Sequence, residues 1–143
     1  MSYPAPSRRF GQQSARTYAQ VGLETQVLSA SPEHLITLLF NGARAAIMQA
    51  RLHMENGNIA GRGQAISKAL DIVDSGLKMA VDRDKGGDLA HNLVATYDII
   101  LYNLMQANLR NDPEKLALAE RMLVDIADAW TTSVDAQRTQ APA

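Results

Sequence analysis

The chain contains no cysteine. That absence excludes disulfides, Cys-ligated zinc, iron–sulfur clusters and thiol nucleophiles together, and it fits a reducing compartment. Aromatic residues are scarce at 5%, and proline is limited to 5 positions. Neither sign of charge is in excess: 14 Lys and Arg stand against 15 Asp and Glu, for a net −1. There is accordingly no general electrostatic footprint for nucleic acid. No apolar run approaches the ~20 residues of a bilayer span, which predicts a soluble chain. The opening MSYPAPSRRFGQQS has no apolar stretch ahead of a small-residue cleavage site, so it is not expected to be a secretory signal. What is present is 143 residues, 46% of them hydrophobic, which suits one domain that buries its core without staples.

Residues 1–14, rich in Ser, Pro, Gln and Arg, read as a flexible N-terminal tail, and residues 136–143 as a flexible C-terminal one. Between them, over 15–135, the punctuation suits helices. Ser31-Pro32-Glu33 supplies an N-cap, a proline at the first helical position and an early acid. Asn56-Gly57-Asn58 stops that helix. Lys85-Gly86-Gly87-Asp88 breaks the next one and starts another, and Asn111-Asp112-Pro113-Glu114 repeats the cap-and-proline signature. No β-branched or aromatic run alternates with period two, so no strands are expected. The prediction is an all-α antiparallel four-helix bundle, its helices ~30–37 Å long and joined by short turns. A short additional N-terminal helix, from Ala15 to about Leu28, precedes them.

The apolar faces are unequal. After Gly57, Ile59, Ile66, Leu70, Val73, Leu77 and Val81 share one stripe about 100° wide, an ordinary core face. After Gly87, Leu93, Tyr97, Ile100 and Leu104 form such a stripe. A second one, Val94, Leu101, Met105 and Leu109, is centred roughly 100° away around the same helix. The helix opened by Ser31 is equally broad: Leu35, Leu38, Leu39, Ala46 and Ala50 are flanked by Ile36, Phe40, Ala43, Ile47 and Met54. Two helices thus carry more apolar surface than one seam needs. Either both are central helices touching several neighbours, or a partner covers the surplus; the N-terminal helix, with Tyr18, Val21, Leu23, Val27 and Leu28, is a further candidate cover.

Catalytic chemistry is missing. His34, His53 and His91 lie apart, in no HExxH or Glu-x-x-His pairing, so a di-iron bundle is not expected. A phosphorelay histidine would usually be followed shortly by Lys-Gly, and none of the three is. The stretch Asp82 to Asp88 resembles a calcium loop superficially, but its fifth position is Gly86 and its twelfth is Leu93. Gly61-Arg62-Gly63 lacks a preceding strand and a third glycine. Asp71 with Asp74, and Asp125 with Asp128, have no organised partner and read as solvated faces. No cofactor, metal or enzymatic activity is expected.

The run Ala30-Ser31-Pro32, then Leu35-Ile36 and Leu39-Phe40-Asn41-Gly42-Ala43, resembles the opening of the flagellar secretion chaperone family (FliS). Lys85-Gly86-Gly87, Tyr97-Asp98 and the stretch Gln106 to Asp112 are similar to its central and C-terminal signatures. Ala127-Asp128-Ala129-Trp130 resembles the motif closing its last helix, and Tyr18-Ala19-Gln20-Val21 its N-terminal helix. Asn41 stands where the family often has Asp, and Tyr102-Asn103 where it commonly has a basic pair.

The resemblance implies a cytosolic, non-enzymatic chaperone. Such a protein binds the disordered C-terminal region of flagellin, prevents premature polymerisation and delivers the subunit to the export gate of the flagellar type III system. The gate protein FlhA is then a second partner, with an anti-sigma factor a further one in some members. Joined to the surplus stripes, it places the partner-binding surface on Ile36, Leu39, Phe40, Ala43 and Ile47 of one helix. Val94, Tyr97, Leu101, Leu104, Met105, Asn108 and Leu109 of another complete it. Tyr18, Val21 and Leu28 are expected to cap part of that groove, with Tyr18 a candidate gate contact. Asn103 and Asn108 are expected to pair with client backbone. The free protein is expected to be a monomer or weak homodimer, and the rival reading is a scaffold that uses the same surface for self-association.

Overall fold

The structure, a computed structural model, describes residues 30–140. The expected N-terminal tail and the short helix with Tyr18, Val21 and Leu28 lie outside the described residues. Within them the chain forms four helices and no strand: α1 (Pro32–Glu55), α2 (Ile59–Asp71), α3 (Arg83–Arg110) and α4 (Pro113–Gln140). A seven-residue π-helical stretch, Ile72–Lys78, continues α2.

The caps at Ser31 and Asp112 fall where the sequence places them, whereas those at Asn58 and Asp82 were not foreseen, and α3 begins at Arg83, ahead of the expected break at residues 85–88. Asn58 Oδ1 accepts the Gly61 N–H at 2.9 Å, and Asp82 Oδ1 accepts those of Asp84 and Lys85 at 3.1 Å each. Asp112 Oδ1 accepts the Glu114 N–H at 2.9 Å. These satisfy amides that have no partner inside the first turn. Gly87, at φ 56° and ψ −134°, interrupts α3 near its start in a conformation that only glycine takes without strain. α4 runs to Gln140, past the expected end at residue 135; no glycine or proline stands between Pro113 and Pro142 to stop it.

The chain divides into two units, Met1–Leu35 and Ile36–Ala143. In the first, Ser31 Oγ accepts the His34 N–H at 3.1 Å. In the second, side-chain contacts fix the helix directions. Between α1 and α2, Gly42 lies against Ile72 and His53 against Gly61, so the two run antiparallel. Arg62 reaches Asn108 and Asn111 while Lys78 reaches Asp98, which sets α2 antiparallel to α3. Arg51 pairs with Glu120 and Trp130 with Thr37, which does the same for α1 and α4. The expected antiparallel bundle is what forms.

Its core is aliphatic and tightly interleaved with alanine. Ala43, Ile47 and Ala50 of α1 meet Ile66, Ala69 and Val73 of α2, Ile100 and Leu104 of α3, and Ala119 and Leu123 of α4, all fully buried. The expected stripe on α2 holds from Ile66 onward, but Ile59 is 70% exposed and lies outside the core, at the helix start. Ala69, Val73, Leu77 and Val81 follow one another at intervals of four. In a regular α-helix each such step drifts by about 40°. The π stretch, with its wider turn, absorbs the drift and keeps Val73 and Leu77 buried.

Candidate functional site

At the end of the bundle where α1 and α3 begin and α2 and α4 finish, the helices diverge around a groove of about 580 Å³. Ile36 and Phe40 of α1 form one wall, and Leu77, Ala80 and Val81 another. Leu89, Leu93 and Tyr97 of α3 and Ile126 and Trp130 of α4 complete it. Apart from the Tyr97 hydroxyl and the Trp130 indole N–H, the polar side chains lining it are Asp82, Asn92 and Thr96, and Asp82 is already engaged as the α3 cap. Burial pushes the Tyr97 hydroxyl up to about 12, so the ring stays neutral. The Trp130 Nε1–H donates to Thr37 Oγ1 at 3.2 Å, which fixes the indole across the α1–α4 seam. Leu89, 78% exposed, stands at the rim. Such a groove binds apolar side chains and offers little to a charged or metal-bound ligand.

A second apolar feature runs along the outer face of α3. Tyr102, Met105 and Leu109 lie within about 60° of one another around the helix and are all exposed, while Leu101 and Val94 at their side are half-buried. The expected second stripe of α3 is therefore surface, and no helix of the bundle covers Met105 or Leu109 fully.

The structure sorts the expected site residues. Ile36, Phe40 and Tyr97 line the groove, although the last two are largely buried. Leu39 and Leu101 are half-buried against the core. Ala43, Ile47 and Leu104 have no accessible surface, so they support the site from behind and offer no contact of their own. The broad arc on α1 is thus a core face turned to several neighbours, and the exposed large apolar side chains of that helix are Met48 and Leu52. Asn108 does not face outward unpaired: its Oδ1 accepts from Arg62 Nε at 3.3 Å and its carbonyl from Arg62 Nη2 at 3.1 Å. Asn103, 3% exposed, donates to the Ile99 carbonyl at 2.9 Å and has no surface role. Leu77, Ala80, Val81, Leu89, Leu93, Ile126 and Trp130 were not among the sequence candidates. A signal existed only for Trp130, the chain's single tryptophan, in the Ala127-Asp128-Ala129-Trp130 motif.

His34 and His91 are exposed and His53 packs over Gly61, so the three stay apart. Among the described residues no cluster of His, Asp and Glu is placed to hold a metal ion, and no helix is long and apolar enough to cross a membrane.

Comparison with known proteins agrees with this picture. The family described as flagellar protein FliS matches residues 14–137. The flagellar secretion chaperone FliS of Salmonella typhimurium is 48% identical over 115 residues, 80% of this chain and 85% of that protein. The Escherichia coli protein of the same name is 38% identical over 125 residues, 87% and 92% of the two chains. That of Bacillus subtilis is 30% identical over 115 residues, 80% and 84%. An all-α bundle with an apolar groove and matches of this extent have one reading: the chain belongs to the FliS family of flagellar secretion chaperones, which are not enzymes.

Proposed function

We propose that the chain binds the disordered C-terminal region of flagellin in the cytosol, keeps it from polymerising and brings it to the flagellar export gate through FlhA. The observation that carries this reading is a pair of apolar surfaces within Ile36–Ala143 that no other described residue covers: the groove and the outer stripe of α3. Subunit segments that associate through apolar helical faces in a filament need such faces covered beforehand. Helix-in-groove docking covers them, and the driving force is apolar burial, at about 25 cal/mol per Å² before the segment's ordering cost. Met105 suits a client that is only partly regular, because its unbranched chain adapts. Nothing in the groove resembles a nucleotide site, so release falls to the gate or to a competitor such as an anti-sigma factor.

Calorimetry with intact flagellin and with flagellin lacking its C-terminal segment tests this. Binding is expected only to the intact form, and undiminished affinity for the truncated one overturns the proposal. The exposed Tyr102, Met105 and Leu109 also favour a second reading, self-association through the same stripe. Light scattering separates the two: an obligate oligomer that flagellin does not dissociate supports the second.

A further inference from the structure

We infer that the π-helical stretch Ile72–Lys78 is the adjustable wall of the groove, and that the one residue it holds beyond a regular helix serves client binding and not packing. The inference rests on the functional reading above.

The spacing of the core residues makes the case. Without one residue of the stretch, Leu77 would follow Val73 at an interval of three and Val81 at seven, the ordinary alternation of a helix that buries one face. A regular α-helix one residue shorter would therefore present the same side chains to the bundle. The wider turn lies where α2 becomes groove wall, since Leu77 is within it and Ala80 and Val81 come just after.

The hydrogen bonds there are divided in a way that permits movement. The Ile72 N–H is shared between the Lys68 and Ala69 carbonyls. The Ala80 N–H is shared between Gly76 at 3.2 Å and Leu77 at 3.3 Å, and Val81 bonds Lys78 at 3.2 Å, a tighter turn. The N–H groups at the two ends of the stretch thus each have a second acceptor in reach, so a shift of the wide turn leaves them a partner. Val73 and Leu77 anchor its inner side in the core, while its outer side is held more lightly. Leu39 lies over Gly76, where an added Cβ would come within 3.0 Å of Leu39 Cδ2. Lys78 Nζ pairs with Asp98 Oδ1 at 2.6 Å and ties the far end to α3. Ser75 is exposed and bonds only Asp71, at 3.2 Å.

Deleting Ser75 tests the inference, with deletion of Ser67, in the regular part of α2, as the contrast. Ser75 deletion is expected to keep the helical circular dichroism and leave the thermal midpoint unchanged or higher. It should also weaken binding of a flagellin C-terminal peptide by roughly tenfold or more, read by calorimetry and by Trp130 fluorescence. Ser67 deletion is expected to lower the midpoint sharply. In the unaltered chain, amide exchange at residues 76–81 should slow when the peptide is added. Unchanged affinity in the folded Ser75 deletion overturns the inference, as does unfolding of that variant or unchanged exchange at 76–81. An unaltered chain that does not bind the peptide overturns the functional reading, and this inference with it.

Discussion

The two ends of the bundle are built from different chemistry. Where α1 meets α2 and α3 meets α4, polar side chains bind the helices together. Arg62 of α2 donates to Asn108 and to Asn111, whose left-handed backbone ends α3, and Arg51 pairs with Glu120 across α1 and α4. At the opposite end the same four helices are separated by an apolar groove. Among the described residues, the cross-links there include the ion pair of Lys78 with Asp98 and the indole hydrogen bond of Trp130 to Thr37. Arginine bonds that satisfy the last carbonyls of a neighbouring helix hold that end in one arrangement. Aliphatic side chains with room between them leave the other end able to accept a partner. On the proposed function, stability and recognition are thus separated along the bundle axis.

Variants at the two ends and in the core between them sharpen that contrast. The largest effect belongs to the shared core. Leu104→Ala is expected to cost about 2–5 kcal/mol, read as a lower urea midpoint with unchanged m-value, because Leu104 is fully buried. Next is the polar end, where Arg62→Ala is expected to cost about 1–3 kcal/mol by leaving the Asn108 carbonyl and the Asn108 and Asn111 side-chain oxygens without their donor. Flagellin binding at the other end should survive it. Lys78→Ala should cost less than about 1 kcal/mol, since Asp98 is solvent-facing. A change of that size at Lys78 combined with a large one at Arg62 supports the division, and the reverse order contradicts it.

Tyr97 adds a pH signature. Its hydroxyl is pushed up to about 12 by burial, from an ordinary 10.0 in the unfolded chain. The folded state therefore holds its proton more tightly. The associated stability is complete below pH 10 and is lost as pH rises from 10 toward 12. Tyr97→Phe removes this titration, so alkaline unfolding followed by circular dichroism should begin at higher pH in the variant.

Much of this architecture was legible in the sequence, and the limits have physical causes. Ser31-Pro32 and Asp112-Pro113 mark helix starts because capping chemistry is local, and the structure uses both. The caps at Asn58 and Asp82 went unread because the first stands in a helix stop and the second in a connector. The surplus stripe of α3 was legible because periodicity alone places Met105 and Leu109 away from Leu104. The arc of α1 misled for the same reason: it shows breadth but not whether neighbours cover it. Small Ala43, Ala46 and Ala50 let the other helices come close and bury it. The groove stayed hidden because periodicity assigns Leu77 and Val81 to the core face but does not show that space is left beside them. Leu89 gave no signal either, since it follows the break at Gly87.

The central claim, that the groove end recognises the client while the stapled end holds the fold, is tested most directly by a matched pair of exposed leucines. Leu89 stands at the groove rim and Leu52 on α1 near the stapled end, 78% and 46% exposed, so neither change to Glu should disturb the core. Calorimetric titration of both variants with a flagellin C-terminal peptide is predicted to show Leu89→Glu weakened by roughly tenfold, about 1.4 kcal/mol, and Leu52→Glu unchanged. Equal losses in the two, or loss confined to Leu52→Glu, would contradict the account.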